Sequence, residues 1–279
     1  MDKNILAVIV SYNPDNSIIK LYNSINKQVD ELIIIDNFST EKESRKLLKK
    51  LSEETKIIYN DTNSGVAAAL NQAARYAISN GYKWLLTLDQ DSEFLPDTYK
   101  TLINSYEKTE DKDRVMIIAP KIGKNTKQFL RNGKSEDLKQ EILNLTSGSL
   151  IKTESFKHIG FFDEKLFIEQ VDNDFCYRLK KFGYKIKVAQ NIHFLHKIGN
   201  AEKKYGFTLR NHLPVRKYYL ARNSAIMLKR YFFTAPYTTV RYFLGGTILG
   251  WIKILLFEKN KFEKISNGVK GLTEGLKLK

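Results

Sequence analysis

The sequence predicts an α/β fold in which a mostly parallel, mixed sheet is flanked by helices and followed by a C-terminal basic helical extension. Three observations carry this reading. Short continuous apolar runs alternate with amphipathic segments through the first half of the chain, the pattern of buried parallel strands joined by crossover helices. Each of the first runs stops at a polar residue: Tyr12, Asp36, Asn60 and Asp89. The charge is also lopsided. Residues 1–196 carry 29 Lys and Arg against 27 Asp and Glu, whereas residues 197–279 carry 17 against 4, so the last third holds nearly all of the formal +15.

Ile5–Tyr12 is apolar and ends at Asn13-Pro14, as a buried strand leading into a turn. An amphipathic helix is predicted over 15–28, then a second buried strand over Glu31–Asp36. Thr40 with Glu43 has capping-box spacing and predicts a helix running to about Glu54. Lys56–Asn60 is a third strand. The alanine-rich segment 65–80 is a helix stopped at Gly81. Strands follow over Lys83–Asp89 and Arg114–Pro120, and another over Leu145–Lys152 with a tight glycine. A helix opens at Val171, with Val171, Phe175, Leu179 and Phe182 on one face and Gly183 as its stop. Tyr184–Gln190 alternates as a half-buried strand.

With 279 residues the chain is long enough for about two domains, and 42% hydrophobic residues set it apart from disordered sequences. Its lone cysteine, Cys176, excludes a disulfide framework and a cysteine zinc cage, and favours a reducing compartment. The six-residue apolar run from Ile5 to Val10 is too short for the core of a secretory leader. From about Pro214 the sequence becomes basic and aromatic. Its most apolar stretch, Tyr242–Phe257, has 16 residues and includes Lys253. That is shorter than the ~20 residues of a membrane span, and it predicts a helix lying in a membrane interface or packed on its own domain. Phosphate-loop, dinucleotide-fold and serine-elbow motifs are missing. His193 and His196 lack the spacing and the glutamate of a zinc helix.

The chemistry concentrates at the carboxyl ends of the strands, where open α/β sheets bind ligands. Asp89-Gln90-Asp91 leaves a buried strand with two carboxylates one residue apart. Such a pair suits Mg²⁺ or Mn²⁺, which take one or two carboxylates together with substrate phosphates. Asp36 can accept from a base N–H or a ribose hydroxyl, and Tyr12 can stack on a base. Asn63-Ser64-Gly65 opens a helix whose N-terminus suits an anion. Glu169, Asp172 and Asp174 cluster at the start of a later helix, where Asp172 is expected to stay ionised and able to accept a proton. Taken singly, each of these also reads as an ordinary cap or turn residue.

Read together and in order, V-I-V-S-Y-N-P, I-I-I-D-N-F-S, N-S-G-V-A-A-A-L-N, L-D-Q-D, S-G-S-L-I-K and the segment Gly160–Ile186 resemble the family 2 inverting glycosyltransferases of GT-A fold, over about residues 5–196. V-D-x-D-F-C-x-R, H-K-I-G and the Y-Y-x-x-R-N of Tyr218–Asn223 narrow the resemblance to bacterial dTDP-rhamnosyltransferases of surface-polysaccharide synthesis. The resemblance implies that Tyr12 and Asp36 contact the nucleoside and that Asn63 and Gly65 line the nucleotide pocket. Asp89 would face ribose or metal, Asp91 would bind Mg²⁺ or Mn²⁺, and His196 would approach the metal or diphosphate. Asp172 would be the general base, and Arg222 would offset leaving-group charge. One departure is Val171, which stands where many relatives carry a glutamate ahead of the aspartate; Glu169 lies two residues earlier.

The expected activity is transfer of a sugar, L-rhamnose by resemblance, from a dTDP-sugar to a lipid-linked or polysaccharide acceptor at the cytoplasmic membrane face. UDP-hexose and UDP-galactofuranose remain alternative donors, and self-association stays open. A catalytic domain over 1–205 would divide near 115 into nucleotide and acceptor halves, with 206–279 associating with the membrane. A sugar-nucleotide nucleotidyltransferase is the second enzyme class, but V-S-Y-N-P-D-N-S lacks its glycine-rich basic loop. Nucleic acid is not an expected partner: the basic tail shows no helix-turn-helix, zinc-finger or RNA-recognition pattern.

Overall fold

A computed structural model describes residues 4–122, 138–143, 146–196, 202–204, 207–209 and 212–278. Strand β1 (Ile5–Ser11) shows why its run is continuously apolar. Leu6 and Val8 enter one core with the alanine-rich helix, while Ile5, Ala7 and Ile9 enter a second core on the opposite face. A strand buried on both faces has no use for polar alternation.

Around it lie β2 (Glu31–Asp36), β3 (Lys56–Tyr59) and β4 (Trp84–Asp89), all parallel in the order β3-β2-β1-β4. The sheet then turns mixed. Strand β8 (Ser149–Lys152) runs antiparallel to both β4 and β6 (Val115–Ile122), and β9 (Lys185–His196) runs parallel to β6. At the far side β5 (Ser92–Glu93) and β7 (Leu138–Glu141) both pair antiparallel with β9, and a small hairpin joins β10 (Glu202–Lys204) to β11 (Phe207–Leu209). The mixed sheet of the sequence reading is therefore present. Strand β9 is longer than expected, and β5, β7 and the hairpin were not foreseen.

Helices α1 (Ser17–Ile25), α2 (Lys42–Leu51) and α4 (Thr98–Glu107) cover one face of the sheet; α3 (Gly65–Ser79), the short α5 (Ser155–Ile159) and α6 (Val171–Lys181) cover the other. Two local expectations fail. The Thr40–Glu43 capping box does not form: α2 starts after Glu41, and the backbone N–H groups of Thr40 and Glu41 donate to Asn13 Oδ1 at 2.8 and 3.1 Å. Phe182 does not share the buried face of α6 but stands exposed at its end.

The C-terminal helices are α7 (Pro214–Tyr231), α8 (Pro236–Gly246), α9 (Ile248–Phe257) and α10 (Lys261–Lys277). Helix α7 is tied to α6 through Tyr177, Met227 and Tyr231. A buried ion triad, in which Glu258 accepts from Lys217 and Lys264 at 2.8 Å each, locks the α9–α10 corner to α7. Helices α8 and α9 follow one another over Pro236–Phe257. These 22 residues contain an 18-residue window of mean hydropathy 1.4 and are by length and composition long and apolar enough to cross a membrane, which lengthens the 16-residue stretch read from the sequence. The backbone leaves helical geometry between them, at Thr247 (φ −115°, ψ −98°). The expected domain boundary at 205/206 lies outside the described residues.

Candidate active site

The strand ends are stapled to one another before any ligand is considered. The Tyr12 N–H donates to Gln90 Oε1 at 2.9 Å and Gln90 Nε2 donates to the Tyr12 carbonyl at 3.2 Å, joining the exits of β1 and β4. Asp36 is buried at the end of β2, where its carboxylate accepts from the Ser39 N–H at 3.1 Å and from the hydroxyls of Ser11 and Ser39. Asn37 and Asn63 carry the connection to the start of α3: Asn37 Nδ2 donates to Asn63 Oδ1 at 2.9 Å. Tyr12 itself is 47% exposed, its ring standing at the sheet edge.

The helix start at Asn63-Ser64-Gly65 was expected to offer its N–H groups to an anion, and the structure corrects this. The N–H of Ser64 donates to Asn37, that of Gly65 to Asn63, and those of Val66 and Ala67 to the carbonyl of Phe167. A peptide carbonyl from the loop ahead of α6 occupies the place foreseen for a phosphate. Gly65 makes room for it: its φ is +85°, and a Cβ there would lie 2.5 Å from that oxygen.

Asp89 and Asp91 flank the turn leaving β4. The Asp89 N–H donates to Ser147 Oγ at 3.0 Å, and Ser92 Oγ lies 2.9 Å from the same hydroxyl. The turn at 146–149 thus braces Asp89 directly and holds Ser92, the residue after Asp91. Thr146 and Ser149 of this turn also line a crevice with Asp172, Ile117, Ile151, Phe162, Phe175 and Cys176. Residues far apart in sequence therefore share one cleft. The register pairs His196 with Ser92, so its backbone lies beside the turn that carries Asp91. Its side chain lies outside the described residues, as does the rest of the H-K-I-G segment.

The three acids at the start of α6 are sorted by their partners. Asp174 is buried and saturated: Arg178 Nε and Arg230 Nη1 approach it at 2.9 and 3.2 Å, and the Tyr231 hydroxyl donates to it at 2.8 Å. It anchors α6 to α7. Glu169 is held by Arg216 Nε at 2.5 Å. Val171 turns into the core. Asp172, by contrast, has no ion-pair partner among the described residues and accepts the Asn173 N–H at 2.8 Å. Burial pushes its carboxyl up from 3.8 to about 6. The Asn173 N–H opposes this, and the negative charges of Glu169 and Asp89 add to it. Asp172 was expected to stay ionised at neutral pH beside a helix N-terminus; desolvation raises its proton affinity, and at pH 7 the carboxylate still predominates.

Arg222 departs from its expected role. It is 8% exposed, and its guanidinium donates to the Lys165 carbonyl and to Asn223 Oδ1, reaches Glu274 at 3.6 Å and lies over the rings of Tyr218 and Tyr219. Its contacts are those of a packed structural residue and do not offer its charge to a diphosphate. Asn223, which the sequence reading passed over except as part of a motif, is fully buried against the same loop.

The family model for glycosyl transferase family 2 matches residues 6–167. The chain belongs to this family. Over 99% of its length it is 28% identical to the dTDP-rhamnosyl transferase RfbF of Shigella flexneri, of which it covers 98%. Among solved structures, GalNAc-T7 with UDP, GalNAc and Mn²⁺ superposes with a TM-score of 0.57 at 16% identity, over 80% of this chain; the match spans about half (51%) of the length of GalNAc-T7. S. aureus TarS 1–349 in complex with UDP-GlcNAc superposes with a TM-score of 0.53 at 17% identity, over 97% of this chain and 90% of that one. These two likenesses establish the GT-A-like fold of this glycosyltransferase.

Proposed function

We propose that this glycosyltransferase moves a sugar, L-rhamnose by similarity to RfbF, from a dTDP-sugar to a lipid-linked or polysaccharide hydroxyl with inversion, and that Asp172 is the general base. The observation that carries this reading is the contrast among the three acids. Two are neutralised by arginines, while Asp172 has no cation partner among the described residues, has a raised proton affinity to which the charge of Asp89 contributes, and lines a crevice with Thr146 and Ser149 of the turn that braces Asp89. A carboxylate with a pKa near 6 is a stronger base than an ordinary aspartate and is still ionised at neutral pH. The acceptor O–H gives its proton to Asp172. Its oxygen forms the new bond to the anomeric carbon from the side opposite the nucleotide, and the bond to the diphosphate breaks with its electron pair leaving on the diphosphate oxygen. A retaining route would require a second carboxylate acting as nucleophile, and the other acids of the cluster are tied to cations.

Asp89 and Asp91 suit a divalent cation by their hard oxygen donors, and the negative charge of Asp89 is felt at Asp172. Among the described residues no three His, Cys, Asp or Glu side chains form a ready-made cage, in keeping with an ion that takes one or two carboxylates and completes its shell on substrate phosphate. Mn²⁺ accompanies UDP in GalNAc-T7. When bound here, Mg²⁺ or Mn²⁺ would supply positive charge to the leaving diphosphate. Asp91→Ala is expected to abolish Mn²⁺-dependent binding of dTDP in calorimetry, and unchanged affinity would sink the metal role. A thermal-shift panel of dTDP- and UDP-sugars with and without Mn²⁺ tests the donor; stabilisation by UDP-hexose or UDP-galactofuranose in place of dTDP-rhamnose would overturn that part.

The same reading places the protein peripherally at the cytoplasmic membrane face. Ile248, Leu249, Ile252, Leu255 and Leu256 are exposed on α9 beside a strongly basic tail, a combination suited to an interface with anionic lipid. The break at Thr247 and the full burial of Ile254 favour lying on a bilayer over crossing it. The expected result is flotation with phosphatidylglycerol vesicles at low salt that is lost at high salt. Salt-resistant flotation would indicate a span, and no flotation would end the membrane reading.

A further inference from the structure

The loop from Lys165 to Gln170, immediately ahead of α6, is strained. Phe167, Glu169 and Gln170 have φ of +62°, +64° and +66° without being glycine. Such conformations persist only where the surroundings impose them. Two elements do so. From α3, the N–H groups of Val66 and Ala67 grip the Phe167 carbonyl at 2.8 and 3.4 Å. From α7, Tyr219 stacks on the Phe167 ring with centroids 4.7 Å apart and planes 9° from parallel, and Arg222 donates to the Lys165 carbonyl. Asn223 Nδ2 donates to the carbonyls of Leu166, Ile168 and Glu169 at 2.8, 2.6 and 2.9 Å. The orientation of that amide is set: Asn223 Oδ1 accepts from Arg222 Nε at 3.0 Å, which turns the NH₂ toward the loop.

We propose that Asn223, oriented by Arg222, is a positioning residue for glycosyl transfer: its buried amide gathers the carbonyls of Leu166, Ile168 and Glu169 and so fixes the strained turn that delivers Asp172 to the cleft. This rests on the reading of Asp172 as the base. It gives the R-N of the Y-Y-x-x-R-N motif a task on the loop, 50 to 60 residues away in sequence, in place of a task on the diphosphate. It also makes the C-terminal helices part of the catalytic apparatus, because α7 supplies one jaw of the clamp and α3 the other.

The test uses the full chain with Asn223→Leu, which keeps the bulk and removes the donors, and Asn223→Ser, which is smaller and keeps a single donor. Amide exchange by mass spectrometry reads the loop directly, and transfer kinetics read its consequence. Asn223→Leu is expected to speed exchange over 65–67 and 164–172 by ~10-fold or more while the central strands exchange as in wild type. It is also expected to lower kcat by ~100-fold, the order a 1 Å misplacement costs, with donor KM within about twofold because the strand-end side of the cleft is untouched. Asn223→Ser should fall between. A merely structural role would instead raise exchange throughout the sheet. Unaltered exchange in the loop, or a loosened loop with kcat near wild type, overturns the proposal. Asp172→Asn, assayed alongside, separates the two readings: if that variant transfers normally the base assignment is wrong, whereas a dead Asp172→Asn beside a fully active Asn223→Leu condemns only the clamp.

Discussion

Asp172→Asn is expected to lower transfer at least ~100-fold, the usual scale of a general base, while making the protein more stable at pH 7. Both effects have one cause. Burial and the nearby charges of Glu169 and Asp89 raise the Asp172 carboxyl from 3.8 to about 6, so the folded state holds this proton more tightly than the unfolded chain does. Between about pH 4 and 6 the unfolded chain releases the proton first, and stability therefore falls as pH rises through that window. Above it the charged carboxylate is a standing cost on the order of 3 kcal/mol at about 1.4 kcal/mol per pH unit. Asparagine is of similar size and carries no charge. Its melting temperature should exceed that of wild type by roughly 5 °C at pH 7, with the difference shrinking toward pH 4. The wild-type kcat should fall about tenfold per unit below pH 6 as the base is protonated. A variant that lost activity and stability together would show that Asp172 serves the fold, and an acid limb near pH 4 would show that the carboxyl is better solvated than its surroundings imply.

That sorting of acids marks the limit of what the chain discloses in one dimension. The sheet was legible because burial on both faces leaves a local trace: Ile5–Val10 and Leu32–Ile35 are apolar without interruption, and Trp84–Leu88 is broken only by the buried Thr87. The cluster at 169–174 was legible as a cluster, and Asp172 within it. The quieting of Asp174 was not, since Arg230 and Tyr231 arrive from 56 and 57 residues downstream. The supposed anion site at the start of α3 looked open because its occupant, the Phe167 carbonyl, comes from about 100 residues away. The Thr40 capping box lost to Asn13 for the same reason: a side chain 27 residues earlier already held the Thr40 N–H that the Glu43 side chain would have taken. Local propensity ranks the partners within reach along the chain, and the fold then supplies others closer in space.

The same glycine-to-alanine change is expected to act with opposite sign at two positions in the C-terminal helices. At Gly271 a Cβ would stand 2.1 Å from the Tyr218 carbonyl oxygen and 2.9 Å from its carbon; at Gly275 the Arg222 carbonyl oxygen lies at 2.3 Å. These are contacts of backbone on backbone, so no rotamer change relieves them, and α10 must move off α7. Gly271→Ala should cost about 3 kcal/mol or more, in the range of severe overpacking, and should make the segment after Asn260 sensitive to limited proteolysis. Gly245, in the exposed part of α8, meets nothing within 4 Å. There alanine only removes backbone freedom, and the variant should be more stable by up to ~1 kcal/mol. Because α7 carries Arg222 and Asn223 against the Asp172 loop, and Glu274 on α10 reaches Arg222 at 3.6 Å, the loss at Gly271 should reach the cleft as well: kcat should fall with α10 undocked, while Gly245→Ala transfers at the wild-type rate. If Gly271→Ala unfastens α10 and leaves kcat unchanged, the C-terminal helices support the fold without setting the geometry of the base.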